Sequence, residues 1–184
     1  MGKNMNVLST KFSGVYVIEP KDFQDERGVF VKIFHQDIFL QNKLDHRFVE
    51  SYYSVSKKNV IRGMHFQTPP ADHTKLVYVT HGRILDVILD IRAGSTTYGQ
   101  SISVELSSEN HKIMYISSGF AHGFASLVDD SAVTYLQTTM HSPEYDHGIH
   151  VQSFGMDWGV AHPIMSPRDQ AFPKLAEFTS PFTV

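Results

Sequence analysis

The sequence predicts an all-β protein built as a sandwich or barrel, and three observations support this fold class. Short apolar or alternating runs dominate the chain, they recur about every ten residues, and Gly, Pro, Ser or Asn separates them. Such spacing is typical of antiparallel sandwiches and barrels. Helix-period patterns are scarce, so we expect only a few short helices.

The elements follow from these runs in chain order. Strands are predicted at residues 15–18, 29–34, 48–55, 75–79, 83–91, 100–106, 112–116 and 132–137. A helix is predicted over residues 36–43, where an apolar stripe follows Asp37 in the first turn. A second short helix is predicted over residues 166–170, because Ser166 can cap a helix that begins at Pro167.

The length and the absence of breaks indicate one domain. A chain of 184 residues is a typical size for a single hydrophobic core, and the sequence shows no linker, repeat or low-complexity tract. We therefore expect one domain over residues 1–184, in which a C-terminal segment, about residues 157–184, packs back on the sheets.

Composition excludes several classes of function. A formal charge of -3 without a basic block argues against nucleic-acid and anionic-membrane partners. The lack of cysteine excludes disulfides and thiolate chemistry, so catalysis must come from His, carboxylates, Lys, Tyr or Ser. No apolar run is long enough for a signal peptide or a membrane span, and we predict a cytoplasmic location.

Three segments place polar side chains on or beside predicted strands. They are the stretch from Arg62 to His65, the Lys75 that opens an apolar strand, and His122 between two glycines. Each has an ordinary structural explanation: a hydrogen-bonded core histidine, an ion pair at the rim, or a charged residue that protects a sheet edge. Together inside a barrel they would form an electropositive concave site, suited to a phosphorylated ligand and to an oxyanion.

Ten sequence blocks occur in the order seen in one enzyme family, so the chain resembles the dTDP-4-dehydrorhamnose 3,5-epimerases of the cupin superfamily over nearly its full length. The blocks are Asp25-x-Arg27-Gly28-x-Phe30, Ser54-x-Ser56, Arg62-Gly63-x-His65-x-Gln67, Pro69-Pro70, Lys75-Leu76-Val77, Gly82-x-x-x-Asp86-Val87 with Asp90-x-Arg92, Ser95-x-Thr97-Tyr98-Gly99, Gly119 to Phe124, Tyr135 and Ser166-x-x-Asp169. The resemblance implies a cupin-type β-barrel or jelly roll, usually a homodimer.

The same resemblance implies the reaction and its setting. The substrate would be a nucleoside-diphosphate-4-keto-6-deoxy sugar, used for deoxysugar and O-antigen-type polysaccharide precursors, and neither a metal nor another cofactor is expected. A ketone at C4 acidifies the hydrogens at C3 and C5. A base removes one of them, the enolate is stabilised, and an acid returns a proton to the opposite face.

Position by position, the resemblance also implies roles for individual side chains. His65 would be the base, oriented by Asp169, while Lys75 would stabilise the enolate and Tyr135 would return the proton. The residues expected to bind the substrate are Arg62 at the diphosphate or sugar, His122 in the same pocket, and Arg27 and Phe30, which would reach the ligand of a neighbouring subunit.

Three other functions remain open at this point. Cupins commonly bind a metal through His-x-His, but here Phe66 and Gln67 follow His65, so that pair is absent. A non-catalytic sugar-nucleotide-binding cupin would be expected to lose the base and the acid, and this chain has both His65 and Tyr135. A sugar-nucleotide 3,4-ketoisomerase would differ in where the proton returns.

Four substrate-facing positions depart from the family pattern. The family usually has Glu, Gln, Asn and Tyr where this chain has Lys32, Glu50, Tyr52 and His141. Lys32 is a donor where the family has an acceptor, and Glu50 only accepts where the family amide can also donate. This inverted pattern suits cytosine better than thymine, so the sequence predicts the preference CDP, then GDP, then dTDP. An imidazole at position 141 in place of a phenol predicts inversion at one carbon, C3, rather than two.

Overall fold

The computed structural model describes residues 5–184, so the first four residues of the predicted domain lie outside the described residues. The strands are β1 (Met5–Ser9), β2 (Val15–Pro20), β3 (Asp22–Asp25), β4 (Gly28–Val31), β5 (Glu50–Ser56), β6 (Ile61–Gln67), β7 (Lys75–His81), β8 (Arg83–Asp90), β9 (Ser101–Ser107), β10 (Ile113–Ile116), β11 (Phe120–Ser126), β12 (Ser131–Gln137) and β13 (Asp146–Gly148). The helices are α1 (Gln36–Gln41), α2 (Pro167–Gln170) and a single 3₁₀ turn (Leu175–Glu177).

Two antiparallel sheets form the body of the protein. One contains six strands in the order β1-β2-β10-β7-β12-β5, and the other contains five in the order β13-β6-β11-β8-β9. Val77 and Val133 of the first sheet are fully buried in one cluster with Ile88 and Phe124 of the second. Burial of each such side chain contributes about 1.5–3 kcal/mol. This two-sheet arrangement confirms the predicted all-β fold class.

The outer face of the six-stranded sheet is covered by α1. Phe39 of this helix is fully buried, and its ring lies 6.2 Å from that of Tyr115 on β10. The helix is shorter than predicted, because it ends at Gln41 and is followed by Asn42 at its cap and Lys43 in the left-handed region, with φ of 57°. A left-handed residue at that point stops helical hydrogen bonding.

The predicted strand at 29–34 is also shorter, since β4 ends at Val31. It pairs only with β3, as a separate two-stranded hairpin in which Val31 lies opposite Asp22, and the ladder ends with that partner.

Strands β6 and β11 were not among the predicted runs. Glycines at positions 63 and 123 interrupt their apolar patterns, although both strands lie inside the five-stranded sheet.

The C-terminal segment packs against the five-stranded sheet. Trp158 and Phe182 share a buried cluster with Phe66, and the Trp158 Nε1–H donates to the Val151 carbonyl at 3.0 Å. The Ser166 hydroxyl accepts the backbone N–H of the third helical residue of α2 at 3.0 Å, so this helix begins as the sequence predicts. Among residues 5–184, no helix combines the length and apolarity needed to cross a bilayer.

Candidate active site

A histidine and a carboxylate from distant parts of the chain meet at the mouth of the sandwich. His65 Nε2 on β6 lies 2.9 Å from Asp169 Oδ1 on α2. Because an ionised carboxylate only accepts, Nε2 is the protonated nitrogen and Nδ1 is free to take a proton. Burial alone would raise the pKa of Asp169, but its hydrogen bond and charge interaction with His65 and the backbone N–H of Gly63 together lower it.

Two glycines allow the strands at this site to approach closely. Gly63 has φ of 139°, and a Cβ placed on it would lie 2.6 Å from the Cα of Gly123 on the neighbouring strand β11. The pairing of the two strands is irregular between His122 and Phe124. A side chain at either glycine would push β6 and β11 apart.

Lys75 enters the same cavity from the six-stranded sheet. It is 7% exposed, and its ammonium donates to the backbone carbonyl of His65 at 3.3 Å. Burial lowers the pKa of Lys75 to about 8, and the nearby carboxylates of Asp146 and Asp86 oppose the shift. At neutral pH, therefore, the site contains a buried ammonium that is mainly protonated.

Tyr135 on β12 is buried on the wall opposite His65. Its ring contacts the His122 ring edge-on, with centroids 6.1 Å apart. Burial, followed by the influence of Tyr52 and Asp86, raises the pKa of Tyr135 well above its ordinary value. The phenol consequently keeps its proton at neutral pH and can donate it.

A buried dyad supports this wall. His122 Nε2 lies 2.6 Å from Asp86 Oδ1, and both residues are almost fully buried. Burial raises the pKa of Asp86, although His122 partly opposes the rise. Asp86 belongs to one of the family blocks, but no function was predicted for it. Its position after Gly82 on an otherwise apolar strand is the signal that could have identified it.

The cavity has a smaller and a larger part, which we call the inner part and the outer part. The inner part, about 190 Å³, is lined by Arg62, His122, Tyr135 and others, and the outer part, about 420 Å³, is lined by Glu50 and His141 among others. The residues common to both parts are Tyr52, His65 and Lys75. Arg62 is an exposed residue that lines the inner part, and its guanidinium donates to the Ser56 hydroxyl at 3.0 Å.

In the outer part, the side chain of Glu50 is hydrogen-bonded to the backbone of His141. Glu50 Oε2 accepts the His141 N–H at 2.8 Å, while the His141 imidazole is about half exposed and its Nδ1 lies 3.9 Å from Asp146 Oδ2. Asp146 also pairs with Arg168 at 2.7 Å. Neither Asp146 nor Arg168 was among the predicted site residues. Asp146 lies in sequence without a periodic signal, and Arg168 is an unspecified position within the predicted helix over residues 166–170.

Three of the predicted substrate-binding residues, Arg27, Phe30 and Lys32, lie outside the cavity of this chain. Arg27 and Phe30 belong to the β3–β4 hairpin, where Arg27 pairs with Asp25 and the Phe30 ring is 62% exposed. Neither these residues nor Lys32 is among the described residues that line the cavity of His65 in this chain.

Within residues 5–184, no three His or carboxylate side chains converge as the ligands of a metal ion would. His122 is engaged with Asp86 and His65 with Asp169, so each imidazole already has a carboxylate partner.

Comparison with known proteins identifies relatives that match most of the chain, including the residues that line the cavity. The family model described as dTDP-4-dehydrorhamnose 3,5-epimerase matches residues 9–177. The chain is 41% identical over 175 residues to the dTDP-4-dehydrorhamnose 3,5-epimerase of Methanothermobacter thermautotrophicus, covering 92% of this chain and 94% of that one. It is 35% identical over 176 residues to a dTDP-4-dehydrorhamnose 3-epimerase of Streptomyces niveus, covering 94% and 85%.

A solved structure of the same family shows the same similarity. The crystal structure of dTDP-6-deoxy-D-glucose-3,5-epimerase from Legionella pneumophila, in complex with dTDP-4-keto-L-rhamnose, is similar with a TM-score of 0.91 and 36% identity, covering 95% of both chains.

Proposed function

This chain belongs to the dTDP-4-dehydrorhamnose 3,5-epimerase family, and we propose that His65 and Asp169 form the catalytic base of the reaction. The protein is an isomerase with a cupin-type jelly roll. It epimerises a nucleoside-diphosphate-4-keto-6-deoxy sugar in deoxysugar biosynthesis. The relatives are named as epimerases, so a 3,4-ketoisomerase is not favoured.

One observation supports the proposed mechanism above all others: the base and the acid come from facing sheets. His65 lies on β6 of the five-stranded sheet, and Tyr135 lies on β12 of the six-stranded sheet. A sugar held between them exposes opposite faces of its ring to the two side chains. Proton removal on one side and return on the other inverts the carbon.

In the proposed reaction, His65 Nδ1 takes the proton from a carbon next to the C4 ketone. The Asp169 carboxylate stabilises the resulting imidazolium through Nε2–H. The electron pair of the broken C–H bond forms the enolate, and the Lys75 ammonium stabilises the charge on its oxygen. Tyr135 then donates its proton to the carbon from the other side and recovers one from solvent, while the His65 imidazolium releases to solvent the proton that it took.

We assign substrate binding to the two parts of the cavity. The Arg62 guanidinium supplies positive charge for the diphosphate or the sugar in the inner part, beside His122, which lines the wall. Tyr52, Glu50 and His141 line the outer part, where the larger volume accommodates the remainder of the ligand.

The nucleotide that we propose is dTDP. The named relatives act on dTDP sugars. In the structure the Glu50 carboxylate already accepts the His141 N–H, so Glu50 has a role that does not require contact with the nucleobase. This contact weakens the sequence-based argument for CDP.

The inversion of C3 alone stays a prediction, supported by the exposed His141 at the rim and by the 3-epimerase among the relatives.

A homodimer would complete the site. Arg27 and Phe30 lie on an exposed hairpin away from this chain's own cavity, and the neighbouring surface also exposes Phe23 and Val29. We propose that this hairpin contacts the ligand bound by a second copy. Light scattering should then give twice the mass of one chain, and a monomeric mass would contradict this arrangement.

The function is tested by incubating the protein with dTDP-4-keto-6-deoxyglucose in deuterated water. NMR should show deuterium at C3 with inverted configuration. Exchange and inversion at both C3 and C5 would remove the restriction to one centre, whereas exchange at neither carbon would overturn the proposed function.

A further inference from the structure

Tyr52 is placed directly beside the residues that are proposed to act on the sugar. It lies opposite Tyr135 in the pairing of β5 and β12, and the two rings stack at 4.8 Å with an interplanar angle of 20°. The next aligned row contains Glu50, Gln137 and Lys75, one on each of three neighbouring strands. Side chains in one aligned row share a sheet face, so the Tyr52 hydroxyl extends along the face that presents Lys75.

The hydrogen bonding of Tyr52 leaves its own proton available. Gln137, which is 4% exposed, donates from its side-chain amide to the Tyr52 hydroxyl oxygen at 2.5 Å. A phenol can accept and donate at once. With the Gln137 amide in this orientation, the Tyr52 O–H does not donate to Gln137 and is available to another group in the cavity.

The surroundings also keep this phenol protonated. Desolvation and the nearby Glu50 carboxylate raise the pKa of Tyr52 to about 12. Tyr52 and Lys75 both line the inner and the outer part of the cavity, so both groups face the junction that His65 also lines. Two donors are thus available on the wall opposite the base.

We propose that Tyr52 is a second hydrogen-bond donor to the enolate oxygen, forming an oxyanion site together with Lys75. The inference rests on the proposed epimerisation and assigns a reaction role to a residue that departs from the usual family Asn. Charge develops on the C4 oxygen whichever neighbouring carbon loses its proton. Tyr52 therefore acts at every carbon that exchanges, and no proton leaves it during the reaction.

Tyr52→Phe is the direct test, because it keeps the stacked ring and removes only the hydroxyl. Loss of one oxyanion donor typically costs about 10²- to 10³-fold in rate. We expect kcat for deuterium incorporation to fall by such a factor equally at each exchanging carbon, with an unchanged ratio of inversion to exchange. Tyr53→Phe, on the same strand but 72% exposed, is the matched control and should behave as wild type.

A second variant separates chemistry from packing. Tyr52→Phe leaves the Gln137 amide without its acceptor, so Tyr52→Phe with Gln137→Met removes both partners. If the hydroxyl acts on the enolate, this double variant should remain slow. Recovery of the wild-type rate would show that an unpaired amide caused the loss, and would overturn the proposal.

Other outcomes are equally decisive. A Tyr52→Phe rate within threefold of wild type would overturn the proposal, as would exchange without inversion at one carbon, which would make Tyr52 a proton donor instead. The wild-type protein, measured alongside, separates this failure from failure of the function, since only the latter abolishes exchange in the unmodified chain.

Discussion

Replacing Asp169 with Asn exchanges one carboxylate oxygen for an NH2 group and reverses the hydrogen bond on which the base depends. Asp169 is almost fully buried and accepts from both His65 Nε2 and the Gly63 N–H. An asparagine can keep its carbonyl on Gly63 and turn its amide toward His65. The amide would then donate to Nε2, which forces the proton onto Nδ1 and removes the free basic nitrogen.

Two contributions set the size of this effect. A hydrogen bond to a charged group contributes about 1.5–3 kcal/mol, and each 1.36 kcal/mol corresponds to tenfold in rate. The bond at 2.9 Å between Asp169 and His65 is of this kind once the imidazole is protonated. Adding the cost of the wrong tautomer, we expect the rate to fall on the order of 10²- to 10⁴-fold.

The assay is solvent deuterium incorporation into the 4-keto sugar, measured together with circular dichroism and thermal unfolding. Asp157→Asn is the matched control, because Asp157 also accepts a backbone N–H, from Gly159 at 2.9 Å, but is exposed and lies outside the cavity. A correctly folded Asp169→Asn protein with a rate within threefold of wild type would refute the proposed pairing of base and carboxylate.

Three further predictions concern Lys75, Glu50 and Gly123. Because burial lowers the pKa of Lys75 to about 8, kcat should fall roughly tenfold per pH unit above that value as the ammonium loses its charge; a profile flat to about pH 9.5 would contradict this. Calorimetry should show dTDP binding more tightly than CDP in both wild type and Glu50→Gln, and tighter CDP binding by wild type would restore the sequence-based ranking. Gly123→Ala places a Cβ 2.8 Å from the Arg62 carbonyl, so it should destabilise the fold by about 1–3 kcal/mol, whereas an unchanged Tm would contradict this close approach.

Much of the fold could be predicted because its strands follow simple alternation. In β12, for example, buried residues such as Val133 and Tyr135 alternate with partly buried ones, which is the pattern of a strand with one face toward a core. Strand β6 could not be recognised in this way. It contains Arg62, Gly63 and His65, whose presence depends on the cavity and on the close approach of β11 rather than on strand propensity.

The site was less accessible to sequence reasoning because its contacts are long-range. His65 and Asp169 are separated by 104 positions, and no periodicity connects a strand with a helix so far away. Only the family resemblance suggested that they act together. The stacking of Tyr52 on Tyr135 likewise requires the register between β5 and β12, which the sequence does not specify.

The most direct test of the proposed mechanism is the stereochemistry of exchange in Tyr135→Phe. If His65 and Tyr135 act on opposite faces, removing the phenol leaves the protonated His65 as the donor that returns the proton to the face from which it came. NMR in deuterated water should then show deuterium entering the sugar with retained configuration, while inversion falls by about 10²-fold or more. Inversion at the wild-type rate would contradict the account, and so would a parallel loss of exchange and inversion in a correctly folded protein.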